Sequence, residues 1–148
     1  MIRPYTPADL NAVLDLLKLN TPEYFHPSEE KDFIDYLNHK IDAYFVVEDQ
    51  GNIVGCGGYN LGFNEGKTAR ISWDMIHPNA QGAGVGSFLT NYRIETLKRQ
   101  TGVEKIVVRT SQLAYLFYAK FEFKLDSIIE DYWSHGYHLY EMSIQVDK

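Results

Sequence analysis

Cysteine is nearly absent: Cys56 is the only one in 148 residues. That excludes a disulfide framework within the chain and any zinc site built from several thiolates. Cations are also in short supply, with fourteen Lys and Arg against twenty Asp and Glu and a net charge of -6. Such a balance suits nucleic acid poorly, because phosphate backbones demand clustered Lys and Arg. No apolar run approaches the ~20 residues that cross a bilayer. The opening Met1-Ile2-Arg3-Pro4-Tyr5-Thr6 carries no apolar leader. The five histidines lack metal-ligand spacing, so no metal is expected. The expectation is a cytoplasmic protein with no membrane or nucleic-acid partner.

What is present is apolar and aromatic. Hydrophobic residues make up 45% of the chain, with eleven Tyr and eight Phe, enough to build a core. No linker, repeat or low-complexity stretch interrupts it, so residues 1–148 read as one domain.

The periodicities give the elements. Residues 2–5 suit a short strand. Thr6-Pro7-Ala8-Asp9 opens a helix carrying Leu10, Val13, Leu14 and Leu17 at helical spacing. Ser28-Glu29-Glu30 starts a second, with Phe33, Ile34 and Leu37 on one face. Strands follow at 43–48, 53–61 and 68–76, the last stopped by Pro78. Residues 84–100 read as a helix with Val85, Phe88, Leu89 and Tyr92 on a common face. A buried strand at 105–109, a short helix at 113–121 and strands at 123–129 and 138–146 complete the order β-α-α-β-β-β-α-β-α-β-β. The class is α/β, an α+β-type mixed sheet, mostly antiparallel, with helices on both faces.

The chemistry centres on Gln81-Gly82-Ala83-Gly84-Val85-Gly86-Ser87, where a strand passes into a helix. Alternate glycines permit unusual backbone angles, and the first amides of a helix have no partner within it. Such a loop can hold a phosphate by main-chain donors alone. That matters because no Lys or Arg lies between Arg70 and Arg93. A Walker A loop is excluded by the missing lysine, and a dinucleotide fingerprint by Ser87 at its sixth position. Taken alone, the loop is equally a tight turn with no ligand.

The loop is not alone. Gln81-x-x-Gly84-x-Gly86 resembles the Gln/Arg-x-x-Gly-x-Gly/Ala signature of the GNAT family, the Gcn5-related N-acetyltransferases. Ile76-His77-Pro78 is similar to the end of that family's fourth strand. Ala114-x-x-Phe117-Tyr118-x-x-Phe121-x-Phe123 is similar to its alanine-tyrosine segment, and residues 136–144 to its last hairpin. Two positions depart: Ser111 stands where many members have Asn, and Glu122 where many have Gly, which suggests a different turn there.

The resemblance implies an acyl-CoA N-acyltransferase fold that moves the acetyl group of acetyl-CoA to a primary amine by direct attack in a ternary complex. A non-catalytic acetyl-CoA-binding or sensing domain is the alternative. Cofactor contacts are implied at Met75, Ile76, Gln81, Gly82, Ala83, Gly84, Val85, Gly86, Ser87 and Ser111. Tyr118 falls on the tyrosine placed to protonate the leaving sulfur. Asp74, expected to share a face with Ser72 and Ile76, has two open roles: general base, or a carboxylate paired with a polar neighbour. Cys56, mid-strand, reads as a small buried hydrophobe. The acceptor, a small-molecule or peptide amine, is expected near residues 20–40 and 131–137, against Tyr24, Phe25 and Tyr132. A homodimer is compatible with the resemblance.

Overall fold

The computed structural model describes residues 1–146, so the last two residues of the expected 1–148 domain lie outside the described residues. Its strands are β1 (Ile2–Pro4), β2 (Ala43–Asp49), β3 (Asn52–Phe63), β4 (Thr68–Ile76), β5 (Lys105–Thr110), β6 (Lys124–Ser134) and β7 (Tyr137–Gln145). Its α-helices are α1 (Leu10–Leu19), α2 (Glu29–Asp35), α3 (Val85–Lys98) and α4 (Tyr115–Ala119). The element order is the one read from the sequence. Described strands form one sheet in the order β1-β2-β3-β4-β5-β7-β6, antiparallel throughout except between β4 and β5. Crossing from β4 to parallel β5 requires a long connection, and α3 supplies it.

Each helix buries its apolar stripe on one sheet face. Val13, Leu16 and Leu17 of α1 pack with Phe33, Val46, Cys56 and Met75 on one side. Leu89, Ile94 and Leu97 of α3 pack with Ile71, Ile106, Val108 and Tyr118 on the other. Cys56 is fully buried, and burial pushes its thiol up to about 12, as suits a packing residue rather than a nucleophile. No described helix is long and apolar enough to cross a membrane.

Several sequence expectations are corrected. On α3, Phe88 and Tyr92 are largely exposed, and the buried stripe is Leu89, Thr90, Arg93, Ile94 and Leu97. Strand β6 runs to Ser134 instead of stopping at 129, and a tight Ser134↔Tyr137 pair closes the hairpin. Glu122, at the position where the resemblance suggested a different turn, adopts φ +72°, the left-handed region that favours glycine.

The feature that shapes the site is a bulge in β4. Cys56 pairs with Met75 and Gly58 with Ser72, so Trp73 and Asp74 together face the single residue Gly57. Trp73 takes φ +54° to make this possible. A bulge reverses the alternation of faces, so Ile71 joins the α3 side while Trp73 and Met75 join the α1 side. Ser72 lies beside the Tyr36 hydroxyl among the α1–α2 residues. Asp74 therefore does not share a face with Ser72; it points to α3, as Ile76 does. Beyond Ile71↔Val108, β4 and β5 no longer pair, and the sheet opens into a cleft between them.

The start of α1 is held electrostatically. The Asp9 carboxylate takes both terminal nitrogens of Arg3, each at 2.8 Å, and the Thr6 amide at 2.9 Å. These bonds, led by Arg3, bring Asp9 down to about 2. A depressed carboxylate adds stability that is complete above its unfolded value and disappears as pH falls through the folded one. Asp9→Asn is expected to lower the melting temperature at pH 7 by about 2–8 °C, from a loss of about 1–2 kcal/mol once Arg3's partial exposure is allowed for. Calorimetry across pH 5 to 2 should show wild type and variant converging.

Candidate active site

Where β4 ends, two side-chain amides brace the cleft. Asn20, buried at the end of α1, donates to the carbonyls of Leu16 and Ile76 at 2.8 and 3.1 Å. Gln81 reaches back to Asn20 Oδ1 and the same Ile76 carbonyl at 3.3 and 3.4 Å. The His77 amide bonds across to Val54 of β3. By strand alternation the Ile76 amide faces the other way, onto the open edge toward β5.

The glycine loop follows at once. Gly82 and Gly84 both sit at φ +85°, with open space where a Cβ would stand. Here glycine is required by backbone geometry alone. Gly86 differs: a Cβ there would press to 3.2 Å from Phe117, so glycine lets the first turn of α3 pack closely. The amides of Gly82, Gly84, Val85, Gly86 and Ser87 meet no acceptor among the described residues, whereas that of Ala83 donates to Ala80. Five unpartnered donors at the positive end of a 14-residue helix make a setting that suits an anion.

This loop opens into a cleft of about 1030 Å³. Of the residues singled out from sequence, Asp74, Ile76, Gln81, Gly82, Gly84, Gly86, Ser87, Ser111, Tyr118, Tyr24 and Phe25 line it. Met75, Ala83, Val85 and Tyr132 do not. Met75 is buried under α1, and Val85 packs into the α3 core. Tyr132 stands outside on β6, edge-on to Trp133, and it is Trp133 that lines the cleft. Ser111 Oγ accepts the Leu113 amide at 3.2 Å and so fixes the turn into α4. Phe25 stacks on Trp73 at 6.2 Å.

At the centre, Arg93 and Asp74 form a bidentate pair at 2.5 and 2.7 Å, with Arg93 fully buried. The guanidinium also donates to the carbonyls of Gly58 and Leu89. Gly57 makes room, since a Cβ there would stand 2.6 Å from Asp74 and 3.0 Å from Arg93. The Tyr118 hydroxyl donates to Asp74 Oδ2 at 2.6 Å. Burial first, and the Asp74 charge second, raise Tyr118 well above an ordinary tyrosine, so it keeps its proton.

Glu29 forms part of the opposite wall. Its side chain is buried, its Oε2 accepts the His26 amide at 3.0 Å, and burial pushes its carboxyl upward. It joins no ion pair among the described residues. Sequence reading passed over both Glu29 and Arg93. The signal for Arg93 was present, since it falls four residues after Leu89 and four before Leu97, a charge inside an apolar stripe. Glu29 looked like an ordinary first-turn carboxylate.

The sequence matches the family model described as "Acetyltransferase (GNAT) family" over residues 10–123. Among solved structures, the chain is similar to the ribosomal-protein-S18-alanine N-acetyltransferase from Escherichia coli, at 17% identity and TM-score 0.82, covering 100% of this chain and 94% of that one. It is similar to an N-acetyltransferase from Staphylococcus aureus Mu50, at 20% and 0.77, covering 99% and 98%. An aminoglycoside 6'-N-acetyltransferase complexed with coenzyme A matches at 16% and 0.79, covering 100% and 98%. These likenesses show the fold.

Removing one member of the buried pair strands the other charge. Arg93→Met is expected to cost about 3–5 kcal/mol in urea unfolding. The double variant Arg93→Met/Asp74→Leu should regain most of that loss. A double variant no more stable than Arg93→Met would show that the pair's charge balance is not what holds this region.

Proposed function

From the premise that this chain belongs to the GNAT acetyltransferase family, we propose that it is an N-acetyltransferase. It carries the acetyl group of acetyl-CoA to a primary amine by direct attack. The observation that supports this best is the juxtaposition of five unpartnered amides at the start of α3 with the unpaired edge of β4 in one cleft. The amides suit the diphosphate of coenzyme A. The edge suits the thioester, which supplies the activated acetyl group.

The residues divide the work. Attack on a thioester puts negative charge on its oxygen, and the Ile76 amide on the open edge is the fixed donor for it. The departing thiolate belongs to a thiol of pKa near ~8.5 and needs a donor. Tyr118 fills that role because it stays protonated at neutral pH. Of the two roles open to Asp74, we read pairing: its oxygens are engaged by Arg93 and Tyr118, and it positions the phenol. The amine must shed a proton before attack, from a pKa near ~10.4 for a lysine-like group. Glu29, a buried carboxylate in no ion pair among the described residues and on the same cleft as Tyr24 and Phe25, is the acceptor we assign, directly or through water.

Three outcomes test this. Acetyl-CoA should raise the melting temperature, and Gly84→Val should weaken its binding at least tenfold by calorimetry. Tyr118→Phe should bind acetyl-CoA as wild type does yet lose roughly 10²–10⁴-fold in kcat, measured as thiol release over an amine panel; undiminished turnover would remove its role. For Glu29, activity depends on the ionised form, so kcat/KM should rise with pH through a value above that of an ordinary glutamate. Glu29→Gln should abolish that limb while leaving neutral-pH stability intact, because burial disfavours the charge.

A further inference from the structure

The far end of the cleft carries two arginines that the reaction above does not use. Arg70 on β4 and Arg109 on β5 both line it. Each points to the face opposite α3, because its neighbours Ala69, Ile71 and Val108 are buried on the α3 side. The Arg70 guanidinium lies 3.9 Å over the Phe63 ring and joins no ion pair among the described residues. Burial and the nearby charge of Arg109 both act to weaken its hold on its proton. Arg109 Nε is buried without a hydrogen-bond partner; Glu141 Oε1 stands 3.4 Å from it. The rings of Tyr132 and Trp133 lie 5.0 and 5.8 Å from its Cζ. Two cations thus face one carboxylate, in a chain whose overall charge is -6. Like charges are held together here with unspent donors, as an oxyanion site requires.

We propose that Arg70 and Arg109 bind a carboxylate on the acceptor, so that the acceptor is an amine that also carries an acid group. This rests on the acetyl-transfer reading above. The anion does not belong to coenzyme A if the diphosphate sits on the α3 amides. Ile76 packs against Gly86 at the loop, and Arg70 lies back along β4 by five residues of the partner strand, from Gly55 to Asn60, roughly 17 Å away. Arg109 follows Val108, which pairs with Ile71, and is therefore level with Ser72. Between Ser72 and Ile76, whose amide is given to the thioester oxygen, the partner strand advances only from Gly58 to Gly55, so Arg109 stands level with a point roughly 10 Å from the attacked carbon. An ω-amino acid or free lysine, held by a guanidinium that itself extends from the strand, spans a distance of that order. A polyamine, cationic at both ends, is disfavoured.

Matched amines decide the matter. Thiol release is measured with 6-aminohexanoate against hexylamine, with lysine against 1,5-diaminopentane, and with 6-aminohexyl phosphate to separate carboxylate from phosphate. Wild type should favour each carboxylate by at least tenfold in kcat/KM. In Arg70→Met and Arg109→Met that ratio should fall toward one, mainly through KM. In parallel, 6-aminohexanoate is titrated calorimetrically into the protein saturated with coenzyme A. Binding that both variants lose, without turnover, would sustain the acceptor site while sinking the catalytic reading. A preference for the uncharged amines, a ratio unchanged in both variants, a preference for the phosphate, or no calorimetric binding would each overturn the proposal.

Discussion

The buried ion pair between Arg93 and Asp74 is the constraint around which the rest is arranged. A guanidinium excluded from water is tolerable only if it is well engaged, and here a carboxylate and two main-chain carbonyls give each of its three nitrogens a partner. To bring Asp74 onto the α3 side, β4 must bulge at Trp73, and β3 must carry glycine at position 57 so that the pair has space. The pairing of β4 with β5 ends at Ile71, on the near side of the bulge. The cleft therefore opens where the charges are buried, and the electrostatics and the shape of the site have a common origin.

The same pair links architecture to chemistry through Tyr118. Its hydroxyl donates to the carboxylate that Arg93 holds, and the resulting chain fixes the phenol at the cleft wall with its proton retained. Around this fixed point the cleft is polarised. Main-chain donors gather at the start of α3, a buried carboxylate stands on the α2 side, and two arginines occupy the distant sheet face. Each group lacks a full complement of partners among the described residues, and under the proposed reaction each would receive a different part of the two substrates.

Much of this was legible in the sequence. Apolar periodicity, turn residues and Pro78 fixed the number, kind and order of elements, because those signals are local. The loop at 81–87 could be read as a turn with left-handed glycines and free amides because glycine spacing is itself a statement about backbone angles. Tyr118, Gly82, Gly84, Gly86 and Ser111 do line the cleft. The errors are equally instructive. The α3 face was assigned from hydrophobicity, so Phe88 and Tyr92 displaced Arg93. Asp74 was placed by strict strand alternation, which a single left-handed residue at Trp73 overturned.

The sequence by itself determined the fold class, the glycine loop and the family, since each rests on short local signals read in order along the chain. Only the tertiary structure decided which charges are buried together. Asp74, Arg93 and Tyr118 come from β4, α3 and α4, and Glu29, Arg70 and Arg109 from three further positions, with no spacing rule connecting them. Whether a carboxylate is a solvated charge, a partner or a proton acceptor depends on what else has been removed from water beside it, and that is a property of packing in three dimensions.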